Sequence, residues 1–116
     1  MSTPREEFQK FLDAQRAEYR RALPEKIHEI HTRWKALAAS AEVTHALQEL
    51  QRLTHSMAGT AGTLGFRDVG LAAKALELLL EEAGERGPTL TAEHRAAIVS
   101  ACDVLLASLP APAAVS

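Results

Sequence analysis

The chain has 116 residues, 47% hydrophobic and 4% aromatic, with a formal net charge of -2 and a single cysteine. That length sets one domain, and the apolar content suffices for one core without metal or disulfide staples. The charge gives no reason to expect nucleic acid or an anionic membrane as partner, and no apolar run approaches the roughly 20 residues of a membrane span.

Alanine and leucine dominate, which favours helices over a sheet. Thr3-Pro4-Arg5-Glu6 reads as a capping box with proline at the first helical position, a polar start unlike the apolar stretch of a signal peptide. The expected compartment is the cytoplasm, and the unpaired Cys102 fits its reducing conditions. Phe8, Phe11, Leu12, Tyr19 and Leu23 recur at helical spacing. Pro24 is expected to end that helix or start the next, where Ile27, Ile30, Trp34, Leu37 and Ala41 make the inner stripe. A third helix is expected from about Glu42 to about Thr63, closed by Gly65.

A fourth helix opens near Arg67 and Asp68, the acid well placed for the helix dipole. Its Leu71, Ala72, Ala73, Ala75, Leu76, Leu78, Leu79 and Leu80 are apolar nearly all round, predicting the most buried helix. Gly84 to Pro88 breaks it. Thr91 caps the last helix, lined by Ile98, Ala101, Cys102, Leu105 and Leu109. The expected fold is all-α: an antiparallel up-down-up-down four-helix bundle over residues 1–109, with an additional N-terminal helix capping one end. The alanine- and proline-rich tail, residues 110–116, is expected to be disordered.

The third helix carries an anomaly. Val43, Ala46, Leu47, Leu50, Leu53, Met57, Ala61 and Leu64 form its apolar stripe, while His55 lies about 140° from Leu50, Gly59 about 180° and Gly62 about 120°. Each interior glycine costs about 0.5 to 1 kcal/mol against alanine, and neither relieves crowding in the core. Two exposed glycines do provide a side-chain-free floor, over which another protein could approach the imidazole closely. Gln48, Gln51, Arg52, Ala58, Gly59, Gly62 and Thr63 cluster around His55 on the wheel and form the expected docking face.

His55, Met57, Gly59, Thr60, Ala61, Leu64, Gly65 and Phe66, followed by Leu76-Glu77, resemble the signature of the histidine phosphotransfer (HPt) domains of bacterial and plant phosphorelays. That signature runs His, any, apolar, Lys, Gly, small, small, any, any, apolar, Gly, with a later Leu-Glu pair. Ala58 stands here where the family usually carries its lysine. The resemblance implies that His55 is phosphorylated and that receiver domains of response regulators or hybrid histidine kinases are the partners. It also implies that the receiver brings the magnesium and most of the catalytic groups, so the chain itself needs no cofactor. With no phosphate-cradling loop for ATP, the protein is expected to be a monomeric phosphocarrier and not an enzyme in its own right.

Three cations are candidates to compensate for Ala58: Arg52, three residues before His55, and Lys74 and Arg67 on the following helix. Lys74 ranks first, because it sits three residues before Glu77 and is expected at the edge of the site. Two other function classes stay open. One is a binding or inhibitory module using the same face without phosphorylation. The other is a metal-binding or hydrolytic protein using His28 and His31, whose i, i+3 spacing suits two ligands on one helix face; without a Cys or Asp cluster to complete the shell, both read as polar-face residues. His45 and His94 are expected to be solvated, Trp34 to lie in the core and Cys102 to be a small buried hydrophobe.

Overall fold

The first helix, α1, runs without a break from Pro4 to Ala38. It belongs to a computed structural model that describes residues 1–40, 43–87 and 89–111. Three more helices follow, α2 (Thr44–Thr63), α3 (Arg67–Glu85) and α4 (Ala92–Ala107), and there is no strand among the described residues.

The additional N-terminal helix expected upstream of Pro24 is therefore not a separate element but the first half of α1. A proline in a helix interior removes a hydrogen bond and crowds the preceding turn, at about 3 kcal/mol. Here Leu23 and Ile27 on either side of it are fully buried, with Ile30, Trp34 and Leu37 continuing the stripe. Pro24 and Arg20, whose carbonyl loses its intrahelical partner, both lie on the exposed side. Burial of that one stripe outweighs the local loss. The start forms one half of the expected capping box: Thr3 Oγ1 accepts the Glu6 N–H at 3.1 Å, with Pro4 in the first turn, while the reciprocal bond from the Thr3 N–H to the Glu6 carboxylate is not made among the described residues.

The stripe outruns the bundle towards the N-terminus, so Phe8 and Phe11 stay exposed and Leu12 and Tyr19 are half-buried. Towards that end α1 meets the α2–α3 turn. Arg16 lies against Gly65, and the Tyr19 ring sits 5.9 Å from that of Phe66.

In α2, Leu47, Leu50, Thr54, Met57 and Ala61 are buried. Ala46 is exposed and Leu53 and Leu64 only half-buried, so the stripe centres on Thr54, which the apolar pattern passes over. Its hydroxyl folds back to donate to the Leu50 and Gln51 carbonyls at 3.1 and 3.0 Å, which leaves only its methyl to the core. Gly65, at φ 87°, ends the helix. Phe66 N–H donates to the Ala61 carbonyl at 2.8 Å and Gly65 N–H to that of Gly62 at 3.3 Å, the paired bonds of a Schellman turn. The expected start at Glu42, and Ala41 before it, lie outside the described residues.

The turn folds α3 back along α2. Their seam is tight: a Cβ built on Gly70 would meet the backbone nitrogen of Gly62 at 3.3 Å and the carbonyl oxygen of Ala58 at 3.5 Å. Higher up, Gln51 Nε2 donates to the Leu80 carbonyl at 2.9 Å. Rising numbers on one helix thus pair with falling numbers on the other, as in an antiparallel pair. α3 carries more buried positions than any other described helix, but Leu71 and Leu78 are exposed, so it is not apolar all round in its packing. It also continues through Gly84 to Glu85, with Gly87 at φ 115° just beyond and Pro88 outside the described residues.

Thr91 caps α4 by accepting the His94 N–H at 3.0 Å, and Ile98, Cys102 and Leu105 are buried. Arg95 donates to the Ala38 carbonyl at 2.8 Å and the His31 ring lies 3.2 Å from the Cys102 carbonyl through Nε2, joining α4 to α1. Trp34 is 6% and Cys102 1% exposed, both in the core. Burial, followed by the neighbouring Asp103 charge, pushes the Cys102 thiol up to about 11. Of the tail, Pro110 and Ala111 are placed, the Ala111 carbonyl accepting from the Arg20 guanidinium. Residues 112–116 lie outside the described part.

Candidate functional site

His55 sits on the outer face of α2 opposite Glu77 of α3, because the tight Gly62–Gly70 approach sets the register two turns away. The imidazole Nδ1 lies 2.5 Å from Glu77 Oε2. A carboxylate only accepts, so Nδ1 carries a proton, and in the neutral ring Nε2 is then the nitrogen that keeps its lone pair. The His55 side chain is 74% exposed, whereas that of Glu77 is 11% exposed. Nε2 has no hydrogen-bond partner among the described residues. The result is an imidazole facing solvent, oriented from behind by a mostly buried acid.

The other carboxylate oxygen, Oε1, accepts from Lys74 Nζ at 3.0 Å. Partial burial pushes the Glu77 carboxyl up, but the hydrogen bonds from Lys74 and His55 together outweigh it and hold it below the usual carboxylate range. Glu77 is thus an anion near neutral pH.

A shallow cleft runs from His55 along the seam, with Ala58, Gly59 and Gly62 on the α2 side and Arg67, Gly70, Leu71 and Lys74 on the α3 side. A Cβ at Gly59 or Gly62 would meet nothing within 4 Å, so both glycines are the bare floor expected of them. Of the expected docking residues, Gln48, Gly59, Gly62 and Thr63 are exposed, Ala58 is half-buried at the seam, and the half-buried Gln51 has its amide engaged with Leu80. Gln48, Gln51 and Arg52 line a separate hollow on the other flank of His55, together with Glu81.

Of the three compensating cations, Lys74 reaches the anchor of the histidine. Arg67 is exposed at the far end of the cleft and makes no ion pair among the described residues. Arg52 is held by Glu49, at 2.6 and 3.2 Å. Gly70 and Leu71 belong to the cleft without having been singled out by sequence. Gly70 lies four residues before Lys74 and seven before Glu77, and that helical spacing was the available signal.

Two histidines depart from expectation. His31 is half-buried against Cys102 and is not a free polar-face residue. His94 is half-buried at the start of α4, where its Nδ1 is covered and finds no hydrogen-bond partner among the described residues. His28 and His45 are exposed. No group of three or more His, Cys, Asp or Glu side chains suited to a metal occurs among the described residues, and no helix there is long and apolar enough to cross a membrane.

The family of the chain follows from its whole length as well as from this site. The Hpt domain model matches residues 5–108, so nearly the entire chain belongs to the Hpt family, helical phosphocarrier modules of two-component phosphorelays that exchange phosphoryl groups with receiver domains. Comparison with curated proteins and with solved structures returned no match.

Proposed function

We propose that this protein is a cytoplasmic histidine phosphotransfer protein of a bacterial phosphorelay, in which His55 accepts a phosphoryl group from the aspartyl phosphate of one receiver domain and passes it to another. It acts as a single bundle domain, residues 1–109, and as a monomer; the antiparallel registers of α1 with α4 and of α2 with α3 support the up-down-up-down arrangement. The observation that carries the reading is the His55–Glu77 contact, since it leaves Nε2 as the exposed nucleophilic atom.

The step balances without an added acid or base. The Nε2 lone pair attacks phosphorus in line, the bond from phosphorus to the aspartyl oxygen breaks, and the receiver's carboxylate leaves with that electron pair. The proton stays on Nδ1, so the phosphorylated ring carries a positive charge, which the Glu77 carboxylate stabilises. Phosphoryl transfer otherwise requires positioning and charge neutralisation at the equatorial oxygens, and the receiver's magnesium supplies most of that. Gly59 and Gly62 admit the receiver to the ring, with Gln48 and Thr63 at the edges of the contact.

Incubation with a panel of phosphorylated receiver domains tests this. Acid-labile label should appear on the wild type and be absent from His55→Gln. If the variant keeps its biological effect on the partner without carrying label, the chain is a binding module on the same face and the reading fails.

A further inference from the structure

This inference rests on the reading of His55 as the phosphorylated residue. We propose that Lys74 supplies, from α3, the cation that holds the phosphoryl group on His55, in place of a lysine on α2 at position 58.

Three contacts fix the register of the seam: Gln51 against Leu80, His55 against Glu77, and Gly70 against Ala58 and Gly62. On α3, Lys74 lies four residues after Gly70 and three before Glu77, and so shares their face. It therefore stands across the seam from Ala58, about one turn from His55. Where α2 offers only a methyl group, α3 brings an ammonium into the same cleft.

The charges in the site give that ammonium a task. After transfer the phosphoryl group carries about two negative charges at neutral pH, and the Glu77 carboxylate lies on the other side of the same ring. The protonated ring between them balances only one of these charges, so a further cation at this edge of the site lowers the remaining repulsion. Lys74 is already bonded to Glu77 Oε1 at 3.0 Å, and its ammonium has three donors, so it can keep the carboxylate and take a phosphoryl oxygen. Its side chain is 54% exposed, which leaves it free to reorient towards Nε2. The other candidates are less well placed. Arg52 lies on the other flank of His55, outside the cleft that Ala58 and Lys74 share, and Arg67 lies seven residues before Lys74, about 10 Å further along the helix axis.

The experiment measures the ratio of phosphohistidine to phosphoaspartate at equilibrium with one receiver domain, and the lifetime of phosphohistidine on protein charged with phosphoramidate. It uses the wild type, Lys74→Ala, Lys74→Arg and Lys74→Ala combined with Ala58→Lys, each checked for helix content. Lys74→Ala should lower the ratio about fivefold, the change that corresponds to about 1 kcal/mol, and shorten the lifetime. Lys74→Arg should retain most of both, and Ala58→Lys should restore them in the Lys74→Ala background. An unchanged ratio and lifetime in folded Lys74→Ala overturns the proposal. So does a loss that Ala58→Lys fails to restore, which would leave Lys74 as a support for Glu77 alone. A wild type that takes no phosphoryl group on His55 from either donor sinks the reading beneath it; one labelled on His55 but indifferent to Lys74 sinks only this inference.

Discussion

Glu77 spans the seam between α2 and α3 and hydrogen-bonds Nδ1 of His55 at 2.5 Å, across 22 residues of chain. The contact ties a nucleophile on one helix to an acid on the next, so the chemistry of the ring depends on the packing of the hairpin.

Replacing the acid should therefore alter the ring more than the fold. A hydrogen bond to a charged group contributes about 1.5–3 kcal/mol, and because the histidine is mostly exposed, solvent screening reduces this to roughly 1 kcal/mol. Glu77→Gln should slow phosphoryl transfer about fivefold and lower the fraction of His55 protonated on Nδ1, readable from its ring nitrogen NMR shifts. An unchanged tautomer and rate would remove Glu77 from the site.

The same carboxyl makes a pH prediction. Its pKa in the folded protein lies below the ordinary value of 4.5, since the Lys74 and His55 bonds outweigh burial. A depressed pKa adds stability that is fully present above the unfolded value and is lost as pH falls through the folded one. Thermal unfolding followed from neutral pH down to about pH 3 should show the wild type's advantage over Glu77→Gln shrinking on acidification. An advantage that grows instead would mean that the carboxyl is held above its ordinary value.

Two glycines on the cleft should answer one substitution in opposite ways. At Gly59 nothing lies within 4 Å of a built Cβ, so Gly59→Leu should keep or raise stability by up to about 1 kcal/mol while blocking access to His55. At Gly70 the neighbours are backbone atoms at 3.3 and 3.5 Å, so Gly70→Leu must part the seam, at about 1–3 kcal/mol or more. Chemical denaturation and a transfer assay on both variants would check this. Normal transfer by Gly59→Leu would contradict the docking floor.

Most of this site was legible because its signals are local. The glycines, the histidine and the Leu76-Glu77 pair lie at fixed offsets on two helices, and the exposed face of α2 follows from its period. What was not legible depends on contacts across helices. Thr54 hides its hydroxyl in its own helix, Gly70 matters only because Gly62 lies opposite it, and His94 is covered by packing that no helical wheel contains. Pro24 misled for a similar reason. Its local cost is real, but the buried residues on both sides of it belong to one continuous stripe.

That account of Pro24 can be measured. Alanine there restores a donor and removes the ring, a gain of about 3 kcal/mol in helix propensity, of which roughly 1 kcal/mol is offset by the freer unfolded chain. Pro24→Ala should thus raise stability by about 1–2 kcal/mol net. A loss of stability would indicate that the chain needs a break at this point.

The central claim is tested most directly by finding where the phosphoryl group resides. After incubation with a phosphorylated receiver domain, peptide mapping under alkaline conditions should place the label on His55, at Nε2 by phosphorus NMR, and His55→Gln should carry none. Label on His28, His31, His45 or His94, or acid-labile label retained by His55→Gln, would contradict the account.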